Sequence, residues 1–407
     1  MNRKPFLLLV ICMGFLTGCW DRVELNDISI VTGLAVDKGK EMKYKLTVEI
    51  VNASQFSKSQ MGGEASPAIT YSLEGNSVSE LVHKMNIGIT RRLIFSHTRV
   101  LYIGEEVAKE GVLEFLDYLD RSGQFRNDFN IVITQGEKAE VFTKITYPVQ
   151  KVPSLKMHKQ TQSFIEEWGG DPGVRLTDFI SAVTSLGRNP VAAAIKLKGD
   201  PKKGSSSENN QSLDIESLVE MNGMAVFQDD KLVGFLDLTD TRNYYWTQEL
   251  KNTSLSVPCA KQDEAKSRDQ LFNDLRVTET YTQLKVDLKS GRPVLKVKIT
   301  GETRIEATQC PDDITKIETY NKFEKQTNEF VANEIQKTIE KVQEEYGADI
   351  FGFGEVFNRQ HHKEYKKVEK NWDEVFAQAE VEVESDLHLR RSGIRAKSFI
   401  SEIPKQD

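Results

Sequence analysis

Apolar positions recur along the chain at two periods, and the changes of period mark its elements. Pro5 to Phe15 is almost wholly apolar and follows Arg3 and Lys4. A membrane-spanning helix needs about 20 apolar residues, and this run stops short of that before Trp20-Asp21-Arg22. A positive start, an apolar middle and small Thr17 and Gly18 ahead of Cys19 read as a signal peptide over 1–18. Alternation follows. Ile28, Ile30 and Val36 share one parity, Lys38-Gly39-Lys40 is a turn, and Lys45 to Ile50 alternates strictly, which predicts an opening hairpin.

The period then shifts to that of a helix. Ser77 and Glu80 have capping-box spacing, and Val78, Leu81, Val82 and Met85 fall on one helical face. Strands are predicted at 99–103 and 129–133, and helices at 105–119 and 137–144. Alternating strands and helices favour layered α/β packing. This N-terminal α/β domain is placed at 19–197. Residues 198–217, opening Lys198-Gly-Asp-Pro-Lys-Lys-Gly-Ser-Ser-Ser207, lack apolar periodicity and read as a flexible linker. Gly223 to Phe227 and Lys231 to Leu236 form a hairpin around Asp229-Asp230, assigned to a small middle domain at 218–260.

The C-terminal α+β domain, 261–407, is the most legible. Leu284, Val286 and Leu288 alternate, Ser290-Gly291-Arg292-Pro293 turns the chain, and Leu295, Val297 and Ile299 alternate again. Pro311-Asp312-Asp313 suits a helix start. Val331, Ile335, Ile339, Val342 and Tyr346 make one helical stripe that Gly347 closes. Val381, Val383, Leu387 and Leu389 supply a late strand. The fold class is therefore mixed α/β and α+β, a signal peptide followed by three mixed sheet-and-helix domains, with no internal repeat.

Composition narrows the function. At 407 residues and 39% hydrophobic, the chain can build several cores. Its net charge is −7, and removing 1–18, whose only charged residues are Arg3 and Lys4, makes it −9. An acidic body argues against nucleic acid, which needs a dense basic surface. Cys12 leaves with the signal peptide, so Cys259 and Cys310 remain as one pair, either a bridge or two separate thiols.

The sequence holds no Gly-x-Ser-x-Gly, His-Glu-x-x-His, phosphate-binding glycine loop or Cys-x-x-Cys. No cofactor, metal or catalytic residue is assigned, and the chain is read as a non-enzyme. His361 and His362 diverge on a helix or a strand and read as surface residues. His97 reads as a hydrogen-bonded structural histidine, with a loop-ordering or titrating role as the alternative. Ile350-Phe-Gly-Phe-Gly-Glu355 follows a helix and lacks a third glycine, so it reads as a tight turn with Phe351 and Phe353 packed inward. Tyr244-Tyr245-Trp246 is either packing or a contact surface.

Leu16-Thr17-Gly18-Cys19 resembles the bacterial lipobox, which implies diacylglycerol on Cys19 and cleavage before it. Two acyl chains would hold the protein at a membrane where one holds only weakly. Gly18 to Asp27 with Val31-Thr-Gly-Leu-Ala-Val-Asp37 resembles the mature start of the Ger(x)C spore germination lipoproteins. Gln343 with Ala348-Asp-Ile-Phe-Gly-Phe-Gly354 resembles their C-terminal signature. Arg91-Arg92, Phe95-Ser-His97 and Ile103 to Ala108 look familial too. The hydrophilic stretch near 200–212 departs from the family pattern.

This resemblance implies the C subunit of a nutrient germinant receptor, lipid-anchored on the outer face of the spore inner membrane. Its implied partners are integral-membrane A and B subunits, together with membrane lipid through Cys19. It implies three mixed α/β domains without catalysis, and it transfers no site residue except Cys19. The competing readings are a solute-binding lipoprotein of a transporter, for which two similar lobes are expected and none is found, and an anchored envelope enzyme.

Overall fold

The computed structural model describes residues 24–52, 66–169, 173–211, 213–248, 250–259, 270–314 and 316–390. Cys19 and the signal peptide lie outside these residues. The strands are β1 (Ile28–Lys38), β2 (Tyr44–Val51), β3 (Ala68–Gly75), β4 (Arg92–Ile94), β5 (Val100–Gly104), β6 (Asn130–Gln135), β7 (Val191–Lys198), β8 (Leu218–Gln228), β9 (Lys231–Leu236), β10 (Lys251–Pro258), β11 (Phe272–Lys289), β12 (Arg292–Thr308) and β13 (Glu380–Arg390). The helices are α1 (Val78–Lys84), α2 (Glu105–Glu110), α3 (Leu113–Arg121), α4 (Ala139–Phe142), α5 (Pro153–Trp168), α6 (Leu176–Val183), α7 (Pro201–Gly204), α8 (Leu238–Trp246), α9 (Ile317–Glu345), α10 (Phe353–Gln360), α11 (His362–Val368) and α12 (Trp372–Ala377).

Among the described residues the strands make two sheets. The larger runs β3-β2-β1-β5-β6-β7-β8-β9, with β4 beside the start of β1. Its centre, β1-β5-β6-β7, is parallel, with antiparallel hairpins at both margins. Helices cover both faces, so the central strands read as apolar runs with little alternation: Val31 to Asp37 and Val100 to Gly104 are buried throughout. The second sheet, β10-β11-β12-β13, carries the 29-residue helix α9 against β13. The helical stripe Val331, Ile335, Ile339 and Val342 is buried, and Gly347 closes the helix at φ +61°.

Several expectations change. The middle domain at 218–260 has no sheet of its own. β8 and β9 continue the first sheet, while β10 pairs with β11 in the second. The stretch 198–217 therefore connects antiparallel neighbours β7 and β8, and it folds a short helix, α7. The reason is pairing across sequence distance: Val191 to Lys198 offers an open edge that a polar interruption does not hide. The helix expected over 105–119 breaks in two at Gly111, whose φ is +124°. There the β8–β9 turn intrudes, and the Asp230 carboxylate accepts from the Leu113 N–H at 3.1 Å, capping α3. Finally, α1 starts after Ser77 as predicted, but the Ser77 side chain makes no capping bond.

Cys259 follows β10 and Cys310 follows β12, and the structure joins them with their Cα atoms 5.7 Å apart. A bridge would tie the outer strand β10 to the hairpin on either side of a 51-residue separation. Loop-closure entropy for a ring of this size is worth about 3–4 kcal/mol. Replacing both cysteines with serine should lower unfolding free energy by about that amount in guanidinium titrations, and alkylation before reduction should label neither thiol.

Candidate functional site

Buried carboxylates organise the molecule: Glu49 and Asp37 around the N-terminal signature and Asp349 in the C-terminal one. Glu49 lies under the N-terminal signature. Thr32 on β1 donates its hydroxyl to Glu49 on β2 at 2.7 Å. Ser154, in the first turn of α5, donates its backbone N–H at 3.1 Å and its hydroxyl at 2.9 Å to the same carboxylate. Gly33 permits this approach, because a Cβ there would sit 1.9 Å from the Ser154 Oγ. Asp37, at the end of the same strand, accepts from the Ala139 and Glu140 N–H groups and so holds the start of α4. The Val-Thr-Gly-Leu-Ala-Val-Asp run is thus a fixture for two helices on one face of the sheet.

Asp349 sits at the junction of the two sheets. After Gly347 the chain passes through buried Ala348, Asp349 and Ile350, where the Ile350 N–H donates to the Ala348 carbonyl at 2.9 Å. One oxygen of Asp349 accepts from the Phe351 and Gly352 N–H groups at 3.1 and 2.9 Å, the other from the Gly354 N–H and Trp372 Nε1 at 2.8 and 2.9 Å. Gly352 adopts φ +88°, which wraps the loop around the carboxylate and starts α10. Phe351 and Phe353 pack inward with Phe376, as the sequence suggested. Gln343 secures the other side, donating to the Phe376 and Ala379 carbonyls where α12 gives way to β13.

The loop meets the first sheet at residues 185–189. Gly354 and Gly187 touch backbone to backbone: a Cβ on either would lie within 2.7 Å of the other's Cα. The Asp349 carbonyl accepts from the Asn189 N–H at 2.7 Å. The Asn189 side chain donates to Asp373 at 3.0 Å and accepts from the Asp229 N–H at 2.9 Å. Ser185 hydrogen-bonds Glu355.

Arg188 lines two openings beside this contact. One is a cavity of ≈ 230 Å³ bounded also by Asp178, Tyr244 and Gln248. The other is a groove of ≈ 570 Å³ with Phe351, Glu355 and Arg359. Among the described residues the Arg188 Nε is buried without a hydrogen-bond partner. Burial pulls the guanidinium down, but Tyr244, Glu355 and Asp349 outweigh burial and hold it above its ordinary value. The arrangement is a joint: a backbone bond from Asn189 to Asp349, side-chain bonds from Asn189 to Asp373 and Ser185 to Glu355, and the glycine contact hold one sheet against the other.

The remaining residues singled out in the sequence are not brought together. His97 is exposed, which corrects its reading as a bonded structural histidine; the adjoining turn is closed by the Thr98 N–H on the Phe95 carbonyl. His362 bonds Asn358 on the surface. Tyr244 and Trp246 are packed in the core. Among the described residues no cluster of three or more metal-ligating side chains occurs, and no helix is long and apolar enough to cross a membrane. The residues that matter at the joint, Gly187, Arg188, Asn189 and Asp349, gave no chemical motif; the run of glycines around Asp349 was the available signal.

Burial pushes Asp349 up to about 6 against four N–H donors that hold it down, and pushes Glu49 up to about 7. In the unfolded chain both ionise near 4. Between those values the folded protein retains protons that the unfolded chain has lost. The stability that these groups contribute is therefore full below about pH 4 and lost as pH rises through 6 and 7. Thermal unfolding from pH 4 to 8 should show this fall, and Glu49→Gln should flatten its upper part. Asp349→Asn sets an amide NH2 against the Gly354 and Trp372 donors and should cost about 3 kcal/mol at neutral pH.

Comparison with known proteins bears on this geometry. Residues 21–197 match the family described as spore germination protein N-terminal domain, and residues 222–393 match spore germination B3/GerAC like, C-terminal. The two matches flank the 198–221 connection. The chain is 30% identical to spore germination protein KC of Bacillus subtilis (strain 168), over 97% of each chain. It is 22% identical to spore germination protein B3 of the same organism, over 96% of this chain and 97% of that one. The crystal structure of the GerBC protein shares the fold, with TM-score 0.52, 17% identity, and coverage of 88% of this chain and 96% of that one. The chain belongs to the spore germination B3/GerAC-like family.

Proposed function

We propose that this protein is the C subunit of a spore nutrient germinant receptor. In this reading diacylglycerol on Cys19 tethers it to the outer face of the spore inner membrane, beside integral-membrane A and B subunits. It performs no catalysis. Its role is to hold the receptor together or to pass on the nutrient signal. The observation that carries the reading is similarity along 97% of both chains to spore germination protein KC, with both family matches in order.

Physical features support it. A tethered subunit gains effective concentration beside its partners, so modest interfaces suffice. The joint at Asp349 makes two sheets into one body, so a push on either would be felt by the other. Deleting the gene in the native host should abolish or slow by at least about tenfold the germination that nutrient broth triggers, followed as loss of optical density. A full-rate response without the protein would sink the proposal. Cys19→Ala should move the protein out of the membrane fraction and reduce the same response.

A further inference from the structure

The chain carries 61 acidic residues, yet none falls between Glu80 and Glu105. That stretch holds Lys84, Arg91, Arg92 and Arg99. Only Arg99 and Lys84 are paired there, with Asp128 and Glu80. Among the described residues Arg91 and Arg92 make no ion pair and both are exposed. Arg126, likewise exposed, makes no ion pair among the described residues. It follows Phe125, whose ring packs 5.1 Å from Phe95, one residue beyond β4. Ile87 projects from the same edge at 76% exposure. Its short helical turn is pinned below by buried Met85, and across its base by Asn86, which donates to the Arg91 carbonyl at 2.7 Å.

The position of this edge is set by β-pairing. Ile28 is opposite Arg92 in the parallel pairing of β1 with β4, so Arg92 lies one strand spacing, about 4.8 Å, from the point where the chain leads back towards Cys19. Eight residues lie between Cys19 and Ile28, so nine Cα-to-Cα steps join them. Fully extended they span about 30 Å at most. A lipid on Cys19 would therefore keep this edge within that distance of the headgroups. The joint with the second sheet is displaced along the sheet, on the far side of β5 and β6. The acidic groups nearby are Asp27, exposed on the lead-in, Glu24, Glu80 paired with Lys84, and Asp128 paired with Arg99. An acidic body would be repelled by an anionic membrane, and this is the edge from which carboxylates are depleted.

We propose that the edge formed by Ile87, Lys84, Arg91, Arg92 and Arg126 is a membrane-contact surface for anionic phospholipid headgroups, with Ile87 inserted among them. The proposal rests on the reading of Cys19 as the lipid anchor. The anchor supplies proximity, and the edge supplies orientation. Basic residues at an anionic surface act over a Debye length, about 8–10 Å, so the contact weakens with salt.

The test uses residues 20–407, which contain every described element, and sedimentation with vesicles. Wild-type protein should bind vesicles of equal parts phosphatidylglycerol and phosphatidylcholine and ignore pure phosphatidylcholine, with binding lost at high salt. Arg91→Glu with Arg92→Glu should weaken binding at least about tenfold, and Ile87→Ser should weaken it less. Lys202→Glu with Lys203→Glu, at the opposite end of the parallel strands, should leave it unchanged. Equal binding by the arginine variant, or no binding by the wild type, overturns the proposal. So does an arginine variant that loses only its association with the other receptor subunits, which would assign the edge to a protein partner. Mass analysis of the full-length chain extracted from membranes separates the two readings. Unlipidated Cys19 removes the anchor while vesicle binding still stands or falls by itself, and lipidated Cys19 with no vesicle binding ends the contact surface alone.

Discussion

A buried carboxylate shapes the loop on which the two sheets meet. Asp349 is fully buried, and four N–H groups converge on its two oxygens, three from its own loop and one from Trp372. An apolar residue of the same size would leave those donors unsatisfied in the core, at a cost larger than most single packing defects. The loop that results presents Gly354 to Gly187 and the Asp349 carbonyl to Asn189. Backbone contact of this kind has no soft side chain to yield, so the two units share one position.

The N-terminal signature uses the same device for a different purpose. Glu49 gathers a hydroxyl from β1 and two donors from the first turn of α5, with Gly33 vacating the space between them. Asp37 does likewise for α4. In both signatures a buried acid takes up the N–H groups that helix starts and tight turns leave without partners. The glycines beside the acids are there because of close approach, and at Gly352 because of a left-handed backbone.

These features describe a body built to hold position. One end of the first sheet leads to the proposed anchor, and the same sheet carries the joint to the second. Rigid attachment at the joint, with the proposed tether at the lead-in, suits a subunit of a germinant receptor. The buried acids would tie its stability to pH without any chemistry on a substrate.

The sequence by itself determined the local elements and the family. Strict alternation at 45–50 and 284–299 and the four-and-three stripe from Val331 to Val342 each became the strand pair or helix they implied, because period follows from backbone geometry. Sequence alone also placed Asp349 and its glycines in a signature, and set an acidic chain with a carboxylate-free stretch from 81 to 104. Only the tertiary structure decided which strands share a sheet. β8 joining β7, and β10 joining β11, depend on open edges meeting across the chain, and no local pattern encodes that. It also decided that Asp230 ends α2 and caps α3, and that Gly187 and Asn189 receive the Asp349 loop. Those contacts lie between residues more than a hundred positions apart, where spacing along the chain carries no information about distance.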